Sequence, residues 1–437
     1  MSVGLKTRAT KLLCCPGALA LAASMSLAAS LPAQEIPREP VTRSFVVAFE
    51  RADHWALRCI ALSSLGELWH PVGTPIVLEA LESKDDELRA FGLEVLRGSL
   101  PELLPHVASH DLVERLIKKE LGEKNELYAG RVLDLLARIF PQAGELDAKG
   151  WKRFWSKERK SYAPLPWPPA GWTLADEAHE TLAGTMVERA FDLSQDGLEV
   201  MICIDSTGSM QETIDAARDG LADIIALLAG IAPDLKLGLV HYKDLGEPVP
   251  AAEVIRKLSQ KVESVEKALG RLVAEGGGDI PERVEMGLAL ALDPDRGWTP
   301  KANKIVLLIG DAPAHAEALP EAIDLVRAAF EKPFGQSPRE APEKGSRRTS
   351  TGANRPFVTS AIAVGRGGIP AEVADTMTRI ATAGGGAYGT LALGGDARAS
   401  TTIVRHLLIQ AFGTRYKEQA GRFVEIYLEY HRAGFFD

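Results

Sequence analysis

Three oxygen-bearing side chains at alternating positions, Asp205, Thr207 and Ser209, follow directly on the apolar run 198–204 in the stretch LEVMICIDSTGSM. A nearly continuous apolar run of this length, interrupted only by Glu199, reads as a strand buried on both faces, the kind found in a parallel sheet covered by helices. Beyond the loop, Ile214, Ala217, Leu221, Ile224, Ile225 and Leu228 recur at helical spacing. The order is therefore strand, oxygen-rich loop, helix. In an open α/β sheet such a loop lies at the carboxyl end of a strand, where ligands bind. Two further loops carry acids in the same kind of position: GGGDIPE at 276–282, with Asp279, and GDAP, in which Asp311 ends the apolar run 305–309.

DSTGS, GGGD and GDAP together resemble the von Willebrand factor type A domain, whose metal-ion-dependent adhesion site opens with D-x-S-x-S at the end of the first strand. Thr207 stands where the family usually has Ser, and keeps the hydroxyl. Asp311 matches the acidic residue that the family places near the metal. The family usually supplies a Thr from the loop at 276–282; this chain has none there, and Asp279 is the obvious oxygen donor. GGGDIPE and GDAPAH resemble a bacterial branch of the family. The resemblance implies a site for Mg2+, with Mn2+ or Ca2+ as alternatives, held by Asp205, Thr207, Ser209, Asp279 and Asp311. Mg2+ favours near-octahedral oxygen coordination and retains waters, so one or two carboxylates plus hydroxyls leave a position open. On this reading, that position captures an acidic side chain of a protein partner, and the chain is not an enzyme. His241, His315 and Asp244 fall at the same expected sheet edge; neither histidine has the spacing of a paired zinc motif, so ordinary loop or packing roles are expected.

The competing chemistry is phosphoryl hydrolysis, because an Asp at a strand end followed by hydroxyls superficially resembles the haloacid-dehalogenase phosphatases. That family needs a second acid two positions after its nucleophile, and here Thr207 occupies it. A third reading is a structural module whose metal site stays empty.

The elements that must position these loops alternate along the second half of the chain. Strands are expected at 235–242, as a short edge strand at 254–258, and from Lys304 and Phe357; helices are expected at 264–275, 281–292, 369–383 and 400–413. This predicts an α/β fold, a mostly parallel Rossmann-like sheet with helices on both faces, over 196–415. A Pro-, Ser- and charge-rich stretch, 332–356, reads as a flexible surface insertion, and 416–437 as a helical tail.

Residues 42 to about 140, within an expected helical domain at 34–150, lack strand-like alternation. HWALRCIALSSLGEL from His54, DELRAFGLEVLRGSL from Asp86 and NELYAGRVLDLLARI from Asn125 each show helical periodicity, and their offsets suit an all-α, HEAT-like repeat domain. The region 151–195 holds Trp151, Trp155, Trp167 and Trp172, four of the seven tryptophans, together with Pro164, Pro166, Pro168 and Pro169. It reads as rings closing the end of the helical domain, then an extended linker and a connecting helix.

Residues 1–33 show a basic start, an apolar stretch and small residues up to Ala33, as in a secretory signal peptide. The expectation is a secreted or periplasmic protein with no stable membrane span once the signal is cleaved, or an anchored one if it is retained. The chain of 437 residues has a net charge of -9, and loss of Lys6, Arg8 and Lys11 would make it three units more negative. Nucleic acid is excluded as a general partner on that balance. Cys59 and Cys203 fall in apolar runs and are expected to be buried free thiols.

Overall fold

The computed structural model describes residues 34–36, 39–67, 70–169, 172–174, 185–244, 250–277, 280–332, 354–393 and 398–436. The expected signal (1–33), nearly all of the expected insertion (333–353) and Asp279 lie outside the described residues.

The N-terminal part begins with strand β1 (Gln34–Ile36) and helices α1 (Glu39–Arg51), α2 (Trp55–Glu67), α3 (Thr74–Glu82), α4 (Asp86–Gly98), α5 (Leu104–Val107), α6 (His110–Lys118), α7 (Glu126–Ile139) and α8 (Ala148–Glu158). The three similar sequence stretches become α2, α4 and α7, which stand side by side, while α3, α6 and α8 form a second row behind them. Side-chain caps start several of these helices: Ser109 accepts from the Leu112 N–H, Asn125 from Tyr128 and Asp147 from Gly150. Trp151 and Trp155 are buried and pack with Phe140, Phe154 and Tyr162, so the rings do close this end of the helical stack. The proline-rich segment beyond them runs along the helices, with the Leu165 N–H donating to Pro105 O and Tyr162 donating to Ala108 O.

Strand β2 (Trp172–Leu174) pairs in parallel with β1, and α9 (Met186–Asp196) leads into the second part. Here β3 (Leu198–Asp205), α10 (Gln211–Ile231), β4 (Lys236–Tyr242), β5 (Ala252–Ser259), α11 (Glu263–Leu269), α12 (Val284–Ala291), β6 (Asn303–Gly310), α13 (Leu319–Glu331), β7 (Phe357–Arg366), α14 (Ala371–Ala383), β8 (Gly385–Leu393), α15 (Arg398–Phe412) and α16 (Lys417–Arg432) follow in order. The sheet has the strand order β5-β4-β3-β6-β7-β8, parallel throughout except for the antiparallel edge strand β5. All eight residues of β3 are buried. Val200, Ile202 and Ile204 face a core shared with α10 and α15, while Met201 and Cys203 face α12, α13 and α14. Cys59 and Cys203 are buried free thiols.

Several local expectations shift. The apolar spacing of 264–275 continues past the true end of α11 at Leu269, because the chain must leave the helix there to reach the end of β3. Helix α12 starts at Val284 rather than Pro281, and the connecting helix α9 starts at Met186. Helix α13 and strand β8 were not anticipated.

The two parts share one continuous core. Trp55 of α2 packs against Gly230 of α10 and stacks on Tyr427 of α16 with ring centroids 5.6 Å apart. Phe423 of α16 meets Phe91 of α4 at 4.8 Å, and the Tyr430 hydroxyl donates to Glu94 Oε1 at 2.7 Å. The C-terminal helix therefore lies against the N-terminal helices.

Candidate metal centre

Strand β4 lies on one side of β3 and β6 on the other, so the chain reverses its direction of winding at the carboxyl end of β3. Crevices at such reversals are where open α/β sheets bind ligands. Asp205, the last residue of β3, is fully buried there. Its Oδ1 accepts from the Thr207 N–H and from Thr207 Oγ1, each at 2.8 Å. Its Oδ2 is buried and, among the described residues, has no hydrogen-bond partner. Burial pushes the Asp205 carboxyl up to about 7, and Asp311 adds to the rise, while the Thr207 bonds and Lys243 oppose it. Thr207 is buried, Ser209 is exposed, and their hydroxyl oxygens are 3.4 Å apart.

Asp311 follows directly on β6 and is half-buried. The loop 270–283 is tied to both neighbouring loops. Gly208 N–H donates to Gly276 O at 3.1 Å, and Glu275 N–H to Ser206 O at 3.1 Å. On the other side, Glu282 bridges to Ala314, its N–H donating to Pro313 O at 2.9 Å. Three of the loops singled out from sequence thus converge. Asp205, Thr207, Ser209 and Asp311 gather at one sheet edge; Asp279, whose loop is gathered with them, is outside the described residues.

Sequence reasoning passed over Ser206 and Lys243. The buried Ser206 hydroxyl lies 2.7 Å from His241 Nδ1, and the buried Lys243 ammonium donates to Glu275 O at 2.9 Å. Lys243 also receives the Arg283 N–H at its carbonyl, at 3.3 Å. The signal was its place in HYKD directly after β4, at the same edge. His315 Nε2 and Asp244 Oδ1 are 2.7 Å apart and link the loops after β4 and β6. Burial and Lys243 lower the His241 pKa, which keeps its ring neutral near pH 7. Arg283, which follows the GGGDIPE loop, pairs with Glu285 at 3.0 Å.

Among the described residues, no three His, Cys, Asp or Glu side chains converge to hold an ion. The candidate centre is of another kind: two carboxylates and two hydroxyls, a donor set suited to a hard divalent cation. A buried carboxylate oxygen without a donor is costly to maintain, and a cation is the partner that removes the cost. Asp205, Thr207 and Ser209, with Asp311, would hold it; when bound, such an ion supplies a positive centre able to accept an anionic oxygen.

Residues 199–330 match the model of the von Willebrand factor A domain. The chain contains a von Willebrand factor A domain. The matched stretch runs from β3 through α13 and includes the DSTGS, GGGD and GDAP loops of the A domain. Similar solved structures include the conserved hypothetical protein BatB from Bacteroides thetaiotaomicron, at 16% identity and a TM-score of 0.35, covering 50% of this chain and 100% of that one. The SpRpn10 VWA domain is similar at 13% identity and a TM-score of 0.34, over 47% of this chain and 93% of that one. Proximal thread matrix protein 1 from the mussel byssus shares 17% identity at a TM-score of 0.34, over 49% and 48% of the two chains. No curated protein matches the chain. An A domain supports a protein-interaction or scaffold role in general terms. Among the described residues, no helix is long and apolar enough to cross a membrane.

Proposed function

We propose that the chain is a non-catalytic, extracytoplasmic interaction protein whose A domain uses a divalent cation, Mg2+ in the first instance, to capture an acidic side chain of a partner protein. The observation that carries this reading is the Asp205 carboxyl: fully buried, bonded through Oδ1 to Thr207, and with Oδ2 facing no donor. Asp205, Thr207 and Ser209 would contact the ion, and Asp311 and Asp279 would act mainly through bound waters, because a third directly bound carboxylate would weaken the ion's pull on an incoming one. The helical region, packed against the A domain through α2 and α16, serves as scaffold.

Calorimetric titration of Mg2+ into the purified chain and its Asp205→Ala variant tests the reading, with a phosphatase assay run alongside. Binding to the parent, lost in the variant, with no phosphate release, is the expected outcome. Equal affinity of the two proteins removes the central claim, and Mg2+-dependent phosphate release that Asp205→Ala abolishes would install the hydrolase instead.

A further inference from the structure

A cavity of about 460 Å³ opens beside the candidate metal centre, between β4, β5, α11 and the segment that follows α11. Ile255, Ala268, Leu272 and Val273 supply its apolar lining, and His241 and Lys243, both buried, supply polar groups. Glu275 also lines it, and the next residue, Gly276, accepts the Gly208 N–H, so one residue of loop separates the cavity from the DSTGS loop. Only a few large apolar side chains are exposed among the described residues. Two of them, Val273 at 62% and Ile280 at 75%, stand on the two limbs of this loop. Val273 also lines the cavity, so an exposed apolar side chain stands at its mouth.

The charges around the cavity decide what enters it. Lys243 and Arg271 are matched by Glu253 and Glu275, so the lining carries no excess charge to attract a second anion. Lys243 has three donor hydrogens, and its hydrogen bond to Glu275 O engages one. The fitting occupant has an apolar body and a single uncharged polar tip able to accept a hydrogen bond, which is the description of a tyrosine side chain. Its ring would lie against Leu272 and Val273 and its hydroxyl would meet the Lys243 ammonium.

We infer that this cavity receives a tyrosine of the partner, carried near the acid that meets the metal, because a single residue of loop, Gly276, separates the cavity lining from the DSTGS loop. The inference rests on the metal-capture reading for its acidic half and on the cavity alone for its aromatic half.

The test pans a phage-displayed library of random linear peptides on the immobilised full chain in Mg2+, with elution first by chelator and then by acid. Peptides pairing Asp or Glu with a nearby Tyr are expected. Their binding should fall about tenfold or more on Val273→Asp, which places a charge at the exposed mouth, and on Ala268→Phe, which fills the cavity, with Mg2+ affinity by calorimetry unchanged in both. Replacing the peptide's Tyr by Ser should cost as much. Acidic peptides without an aromatic preference, or ones that bind both variants normally, would overturn the cavity inference and leave metal capture standing. Tyr-bearing peptides that ignore the chelator but are lost on both variants would keep the cavity and remove metal capture. Selection of no peptide at all would overturn the inference.

Discussion

Gly277 lies so close to Thr207 that a Cβ on the glycine would come within 3.1 Å of the threonine Cβ, and Gly277 has φ +91°. Both facts disfavour a side chain, because positive φ is strained for L-residues and Thr207 would have to give by a few tenths of an ångström. The glycine loop therefore closes on DSTGS with least strain as glycine. Gly277→Ala is expected to cost about 1–3 kcal/mol, or to be relieved by the loop moving off Thr207. Thermal unfolding and Mg2+ calorimetry together check this: loss of stability, of metal affinity, or of both is expected, and a variant equal to the parent in each would show that the loop does not need this contact.

The Asp205 carboxyl sets a pH dependence whose sign follows from its raised value. Its folded-state pKa, about 7, lies above the ordinary 3.8, so the folded state binds the extra proton between the two. In chelator, this group therefore costs nothing below about pH 4, and its penalty on stability grows as pH rises toward 7. Asp205→Asn removes the penalty while keeping the shape. Without metal, the variant is expected to melt above the parent at neutral pH, with the difference vanishing near pH 4, and Mg2+ should stabilise only the parent. A stability difference that stays flat across this range contradicts the assignment.

The C-terminal helix α16 holds the helical part and the A domain together through Phe423 on Phe91 and Tyr427 on Trp55. A protease cut in the proline-rich segment 164–169 is thus expected to leave both fragments in one particle by size exclusion. Phe423→Ala, which empties a buried ring site, should cost about 3–5 kcal/mol and let the nicked fragments separate. Separation of the fragments with Phe423 intact would show that the shared core does not bind the parts.

The type and rough place of most elements were legible in the residues, because β3 and β6 are built on nearly continuous apolar runs, β7 is rich in strand-favouring residues, and α2, α4, α7 and α10 repeat at helical spacing. The local chemistry of DSTGS was legible too, since Asp205 and Thr207 are two residues apart and bond each other. Strand β8 was not, and the reason is physical. Its sequence GGAYGTLAL is poor in strand-favouring residues because the backbone approaches its neighbours too closely for side chains, a Cβ on Gly386 falling 2.2 Å from Thr359 O. Strand propensity reflects side-chain packing, which glycine forgoes.

By itself the sequence determined most of the sheet and its helices, and the oxygen-rich loop, because periodicity and local hydrogen bonding act over a few residues. The tertiary structure decided what the loop means. Asp311 raises the Asp205 pKa across more than a hundred residues of chain, Lys243 reaches Glu275, and α16 returns to α4. Such contacts depend on which strand ends and helix faces the folded core brings together, and burial, which leaves Asp205 Oδ2 without a donor, exists only once that core has closed.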